Sequence, residues 1–380
     1  MALVRKGALS VRATVLPRLA MPACARRGGT TLGYEPMPTA LPSPRASLFP
    51  RTAWFDRRTP AALSAAPKQR GDARARGRHA YQDIIDGLLR EVPGISPKYF
   101  YDQKGSELFT QITEVPEYYP TRTEHALMVG HGPDIARAIG KGGVVIELGA
   151  GSCEKARGLC RLLQPFYFIG IDISADYLQD GVARLRADLP GLDARAVGGD
   201  ITRGVQLPAD LPQTHRLVFY PGSSIGNFDP PQAVELLTHM RELAGANGGL
   251  LIGIDLPKDT AVLEAAYDDA AGVTAAFNRN ILSHVNRLIQ ADFDPQQWQH
   301  RAFFNTATSR IEMHLEARTP QRVRWAGGGR DFAAGERIHT ENSYKYTVPV
   351  FSKMLAQAGF SQPQAWTDER GWYAMVHART

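Results

Sequence analysis

Cysteine is scarce in this chain: Cys24, Cys153 and Cys160 are the only three in 380 residues. They form no CxxC pair and cannot build a disulfide framework, which suits a reducing cytoplasm. The ten histidines are scattered, with no HxxxH or HExxH spacing, so no metal is expected. No apolar stretch reaches the roughly 18 residues that a membrane span needs, so no membrane association is expected. Acidic residues are nearly missing from the first 78 positions, where Glu35, Asp56 and Asp72 face 15 Lys and Arg, a balance of +12. The other 302 residues carry 29 Lys and Arg against 35 acids, a balance of −6. The overall charge of +6 therefore belongs to a basic tail on a mildly acidic body, and it argues for no nucleic-acid partner.

That tail, residues 1–78, is rich in Ala, Pro and Arg and has no sustained periodicity. It is expected to be a disordered extension. Arg5, Lys6, Arg12, Arg18, Arg26 and Arg27 have the charge bias of a mitochondrial transit peptide. An incidental extension of a chain biased towards Ala, Arg and Pro is the preferred reading.

The body is organised around Val144-Val145-Ile146-Glu147-Leu148-Gly149-Ala150-Gly151-Ser152. An apolar, β-branched run stops at a Gly-x-Gly turn, and Cys153 to Leu163 follows with helical spacing. Strand, glycine turn and helix make a corner where backbone approaches a ligand closely. NAD, FAD and S-adenosylmethionine all bind such corners, and an ordinary tight turn has the same pattern. A dinucleotide fingerprint wants a third glycine three residues on, and Glu154 stands there. A sulfonium cation suits acidic neighbours better.

Strand and helix signals then alternate. Strands are predicted at Tyr167–Ile173, Ala194–Val197, Arg216–Tyr220 and Leu250–Leu256, with helices between most of them. The alternation implies a parallel, doubly wound α/β sheet whose ligands sit at the carboxyl ends of its strands. Gly149, Asp172, Asp200 and Gly222 all fall at such ends. Residues 79–92 and 105–113 read as short helices, and Thr123 reads as the cap of a helix over 124–138. Asp259 to Leu288 reads as one helix, and residues 300–347 as antiparallel strands. A late helix (348–358) and strand pair complete the sheet. These signals divide the body into a substrate-binding part (79–122 and 258–346) and a nucleotide-binding part (123–257 and 347–380).

Several residues fit chemistry at those strand ends. Asp172, 21 residues after Gly151, is placed to bind a ribose diol or to cap the next helix. Asp200 suits an adenine amino group or a turn. Lys155 sits unfavourably in the first turn of a helix, against the macrodipole. Asn227 can donate to a carboxylate and accept from an amine, as an amino-acid site requires, and Asn also favours turns. Glu341 and Ser343, two apart on a strand, face one way and can read the two nitrogens of an imidazole. Tyr101, Tyr118, Tyr267 and Met313 are each compatible with simple core packing.

Tyr101-Asp102 with Gly105-Ser106-Glu107-Leu108-Phe109, then Pro116-Glu117-Tyr118-Tyr119-Pro120-Thr121-Arg122-Thr123-Glu124, resembles the N-terminal signature of histidine Nα-methyltransferases. The Glu147 to Lys155 loop, the Gly222 to Asn227 turn and the block Tyr267 to Asn278 follow in the same order, so the resemblance covers roughly residues 80–380. Ala150, Cys153 and Asn342 are small departures from it. The resemblance implies a Rossmann-like class I methyltransferase sheet with a second α+β substrate domain. It implies S-adenosylmethionine as cofactor and trimethylation of L-histidine to hercynine, the first step of ergothioneine biosynthesis. Tyr101, Gly149, Lys155, Asp172 and Asp200 would hold the cofactor. Asn227 and Tyr267 would hold the amino-acid end and carry the catalytic roles, with Gly222 lining that turn. Tyr118, Met313, Glu341 and Ser343 would surround the imidazole. Later rounds of transfer need a methylated amine to lose a proton, and Tyr267 is the residue assigned to help. The enzyme is expected to be a cytoplasmic monomer acting on a small molecule. Its rivals are the same fold acting on another amino acid or amine, a nicotinamide oxidoreductase, and a non-catalytic relative.

Overall fold

The computed structural model of the chain describes residues 81–380; the extension expected over 1–78 lies outside the described residues. The described chain opens with helices α1 (Gln82–Leu88), α2 (Gln103–Ile112) and α3 (Tyr119–Ile139). Asp102 caps α2 by accepting the Gly105 N–H at 2.7 Å, satisfying a donor that the helix leaves free. Helix α3 corrects the expectation of a cap at Thr123, because it already begins at Tyr119. Pro120 sits in its first turn, where the missing N–H has no intrahelical acceptor to lose. What reads as a Tyr-Tyr-Pro turn is the helix start.

Strand β1 (Val144–Leu148) is buried along its whole length, as a strand covered on both faces must be. Helix α4 (Glu154–Leu163), β2 (Tyr167–Asp172), α5 (Ala175–Asp188), β3 (Asp193–Gly198), β4 (Arg216–Tyr220), α6 (Pro230–Ala244) and β5 (Gly249–Asp255) follow. All five strands run parallel.

The chain then leaves this pattern. Helices α7 (Thr260–Tyr267) and α8 (Val273–Ile289) replace the single helix expected over 259–288. Gly272 adopts a left-handed φ of 72°, and the Asp269 carboxylate accepts from the N–H groups of Val273 and Thr274 at 2.9 and 2.7 Å. A new N-terminus is thus built inside a sequence with continuous helical periodicity. Strands β6 (Trp298–Asn305), β7 (Arg310–Ala317), β8 (Gln321–Trp325), β9 (Gly328–Phe332) and β10 (Arg337–Tyr344) come next. They form a three-stranded antiparallel sheet, β10-β7-β6, and a β8-β9 hairpin.

Helix α9 (Val348–Gln357) and strands β11 (Ser361–Thr367) and β12 (Tyr373–Arg379) return to the first sheet, whose order is β11-β12-β5-β4-β1-β2-β3. Strand β12 is antiparallel to both its neighbours. This is the Rossmann-like sheet of class I methyltransferases, and the chain between β5 and α9 leaves it before its last helix and strand pair. Residues of 84–119 share one apolar core with residues of 263–338, where Phe100 stacks on Phe277 at 4.5 Å. Separate cores cover the two faces of the large sheet. Among the described residues, no helix is long and apolar enough to cross a membrane.

Candidate functional site

The glycine corner at the end of β1 is built by backbone. Gly149 has φ +67° and Gly151 φ +49°, conformations that a side chain disfavours. Gly149 and Ala150 donate their N–H groups to the Ile171 carbonyl at 2.8 and 3.1 Å, tying the turn to the end of β2. A Cβ at Gly149 would meet nothing within 4 Å, so the glycine leaves an open cradle. Asp172 closes the corner: its carboxylate accepts from Gly151 N–H at 3.0 Å and Ser174 N–H at 2.8 Å. Burial raises the Asp172 pKa, while those N–H groups oppose the shift. Both the diol-binding and the helix-capping readings are compatible with this geometry, since one carboxylate can serve both. Asp200, two residues beyond β3, accepts from the Thr202 N–H and hydroxyl at 3.0 and 2.6 Å.

Lys155 is an ion-pair partner rather than a solvated lysine. Its Nζ lies 2.6 Å from Glu124 Oε2, and Glu124 Oε1 accepts from Gly222 N–H at 2.7 Å and Tyr373 OH at 2.6 Å. Glu124 therefore joins the corner after β1 to the turn after β4, a role that sequence reasoning did not give it. It stands at the end of the Pro116–Glu124 block, which was the available signal. These features fit S-adenosylmethionine: an open glycine cradle with, beside it, a carboxylate fixed at two points.

The residues expected on the substrate side converge. Tyr118, Gly222, Asn227, Tyr267, Met313, Glu341 and Ser343 all line one cavity, together with Tyr101, Phe109, Thr274 and Phe277. Asn227 ends the 3₁₀ turn Ser224–Asn227 that follows β4. Ser223, just before it, accepts the Asp255 N–H through its hydroxyl at 2.8 Å. Tyr267, the last residue of α7, places its hydroxyl 2.7 Å from Ser343 Oγ and its ring edge-on to Tyr118 at 6.3 Å. Tyr101 lines this cavity too, and its carbonyl accepts from Ser174 Oγ at 3.0 Å, two residues beyond Asp172. Gly149, Lys155, Asp172 and Asp200 are not part of the lining; Gly149, Asp172 and Asp200 occupy the neighbouring strand ends and Lys155 the first turn of α4.

Electrostatics set the cavity apart from the rest of the surface as a candidate ligand site. Glu341 is 8% exposed, and among the described residues none donates a hydrogen bond to it. Burial pushes its carboxyl up to about 8, against the opposing pull of Lys345. Burial also raises the phenols of Tyr101, Tyr118 and Tyr267, so all three stay neutral. Lys345, absent from the sequence-based site, is fully buried at its side chain and pairs with Asp255 at 2.8 Å. A second groove, lined by Glu117, Tyr119, Arg122, Arg370 and Trp372 among others, shares no residue with this cavity.

Among the described residues, Glu312, His314 and His339 form a group whose geometry can hold a metal. Strand alternation puts Glu312 and His314 on the face of β7 opposite Met313, away from the cavity. Glu312 is bonded to Arg310, Asn305 and His314, and His339 to Asn342.

A family described as histidine-specific, S-adenosylmethionine-dependent methyltransferases matches residues 80–380. The chain belongs to this family. It is 42% identical over 301 residues to the histidine N-alpha-methyltransferase of Mycolicibacterium smegmatis, covering 77% of this chain and 92% of that one. The enzyme of the same name from Mycobacterium tuberculosis is 38% identical over the same shares. Ergothioneine biosynthesis protein 1 of Neurospora crassa is 26% identical over 302 residues, 73% of this chain and 32% of that protein. For a histidine-specific methyltransferase the cofactor is S-adenosylmethionine, and the matched region contains every residue of the cavity and corner.

Proposed function

We propose that this methyltransferase moves three methyl groups in turn to the α-nitrogen of L-histidine, giving hercynine, as the first step of ergothioneine biosynthesis. The observation that carries this reading is Glu341: a largely buried carboxyl that opens onto the cavity and accepts no hydrogen bond among the described residues, on the same wall as Ser343 and in one cavity with Asn227 and Tyr267. Such a group is costly unless a ligand satisfies it, and an imidazole N–H does so. Asn227 and Tyr267 are assigned to the amino and carboxylate end, Gly222 to the turn beside it, and Tyr118 and Met313 to the ring. Gly149, Lys155, Asp172, Asp200 and Tyr101 are assigned to the cofactor, which supplies an electrophilic methyl on its sulfonium.

The protein's main contribution is to hold the amine in line with that methyl. The amine must be neutral at each attack, so a proton leaves the nitrogen before each round that starts from an ammonium. Tyr267 is assigned to guide it. A neutral phenol cannot retain a proton, so Tyr267 can only hand it on, to Ser343 or water. We further assign 79–122 and 258–346 to a substrate-binding domain, which the shared apolar core of 84–119 and 263–338 supports. The remaining 123–257 and 347–380 form the cofactor domain. A monomer in the cytoplasm is the proposed working form, because a single chain supplies every group assigned here. Mass spectrometry of histidine incubated with S-adenosylmethionine and the protein tests the reading. Mono-, di- and trimethylated histidine are expected in succession; unmodified histidine after long incubation rules it out.

A further inference from the structure

Lys345 is placed to control the wall that faces the substrate ring. It lies one residue beyond β10 and has the strand parity of Glu341 and Ser343. Its Nζ reaches Asp255 Oδ2 at 2.8 Å, Ser343 Oγ at 2.8 Å and Tyr267 OH at 3.2 Å. An ammonium has three donors and no acceptor, so all its capacity is spent on these three oxygens. Both hydroxyls must accept from it. The hydroxyls are themselves 2.7 Å apart, so one donates to the other. A pair of hydroxyls has two protons. One lies between them, neither can turn back to Lys345, and the second has only the cavity to point into. The phenol is the more acidic donor, so Tyr267 donates to Ser343, and Ser343 presents its proton to the ligand.

We propose that Lys345 is a specificity-determining positioning residue: it forces Ser343 to act as a hydrogen-bond donor beside Glu341, so the cleft demands a ring with an unprotonated nitrogen at that point. The inference rests on the histidine reading above and explains how that site selects its ring. It concerns proton arrangement, not shape. A ring of the right size with no acceptor nitrogen leaves the Ser343 donor buried and unpaired, a greater loss than a missing neutral hydrogen bond. Removing Lys345 frees the Ser343 hydroxyl to turn, which relieves that penalty. Asp255 is not orphaned by the change, since Lys258 and Tyr119 still bond to it.

The test compares kcat/KM for histidine with two analogues, pyrrol-3-ylalanine (the N–H kept at the ring position far from the side chain, no acceptor at the near one) and thiazol-4-ylalanine (the acceptor kept at the near position, no N–H at the far one). In Lys345→Met the discrimination against the pyrrole should fall about tenfold, the worth of one such bond. Discrimination against the thiazole, which reads Glu341, should stay as in the parent enzyme. Equal changes in both ratios, or none in either, overturn the proposal, because a purely structural role affects the substrates alike. Tyr267→Phe removes no buried charge and keeps the proposal testable even if the Met variant does not fold. Ser343, still held by Lys345, should keep its discrimination against the pyrrole in that variant; loss of it would make Tyr267 the orienting group. Failure of the parent enzyme to methylate histidine at all is a failure of the functional reading, visible before any variant is compared.

Discussion

Glu341 shows what burial does to a single side chain. Its carboxyl is pushed up to about 8 by desolvation, whereas an unfolded glutamate titrates near 4.3. Between those two values the folded state keeps a proton that the unfolded chain has already released. Stability must therefore fall as pH rises across that window and level off above it. Glu341→Gln removes the titration. The stability of the parent relative to this variant should be highest at or below about pH 4.3 and drop by at most a few kcal/mol by pH 8.5, read from urea unfolding at each pH. A difference that is constant, or that grows with pH, contradicts the burial assigned here. At this scale much of the site is legible in sequence, because Glu341 and Ser343 share a strand face by parity alone. Lys345 has the same parity and escapes notice, since a lysine past the end of a strand reads as a solvated terminus. Only its pairing with Asp255, distant in sequence, reveals it.

Elements set where those side chains meet. The turn after β4 leans directly against β10. A Cβ added to Gly226 would stand 2.8 Å from the Tyr344 carbonyl and 3.1 Å from the Tyr344 nitrogen. Backbone cannot yield there as a flexible side chain would, so Gly226→Ala must push β10 and the turn apart. Overpacking of this kind costs about 1–3 kcal/mol. Here it also separates Asn227 from Ser343, which belong to opposite sides of the contact. The variant should raise the KM for histidine while leaving S-adenosylmethionine affinity, measured by calorimetry, near the parent value. Equal losses in both would show that the turn supports the whole sheet rather than the substrate side. The alternating βα pattern was readable because β1, β2, β4 and β5 are apolar runs ended by a turn residue. Two boundaries were not. Pro120 looks like a breaker but is harmless in a first turn, and the break before α8 depends on the Asp269 side chain, which periodicity does not register.

Across the whole molecule, Asp255 ties together three stretches far apart in sequence. It ends β5, accepts from the Tyr119 hydroxyl of α3 at 2.6 Å, and pairs with Lys258 and with Lys345 beyond β10. Burial opposes its ionisation, but the two lysines outweigh it and hold its pKa below the usual value. It is charged at neutral pH, and its contribution fades only as pH falls through that lowered pKa. Asp255→Asn leaves two lysine side chains, 3% and 0% exposed, without a counter-charge. Breaking a buried pair this way costs about 3–5 kcal/mol. The sign of its pH dependence follows from Lys258, whose pKa burial lowers to about 8 although Asp255 pulls the other way. Without Asp255 that pKa drops further, so the folded variant sheds a proton at lower pH while the unfolded chain holds it up to about 10.4. Stability then rises with pH over a wider window in the variant than in the parent. The destabilisation should be largest on the acid side of neutrality, shrink as pH rises to about 8 and stay level from there to pH 10 in denaturant unfolding, and Asp255→Asn with Lys258→Met should recover part of it. A loss that stays the same from pH 6 to pH 10 would mean that Asp255 acts through packing alone, and that the three stretches are joined by shape rather than by charge.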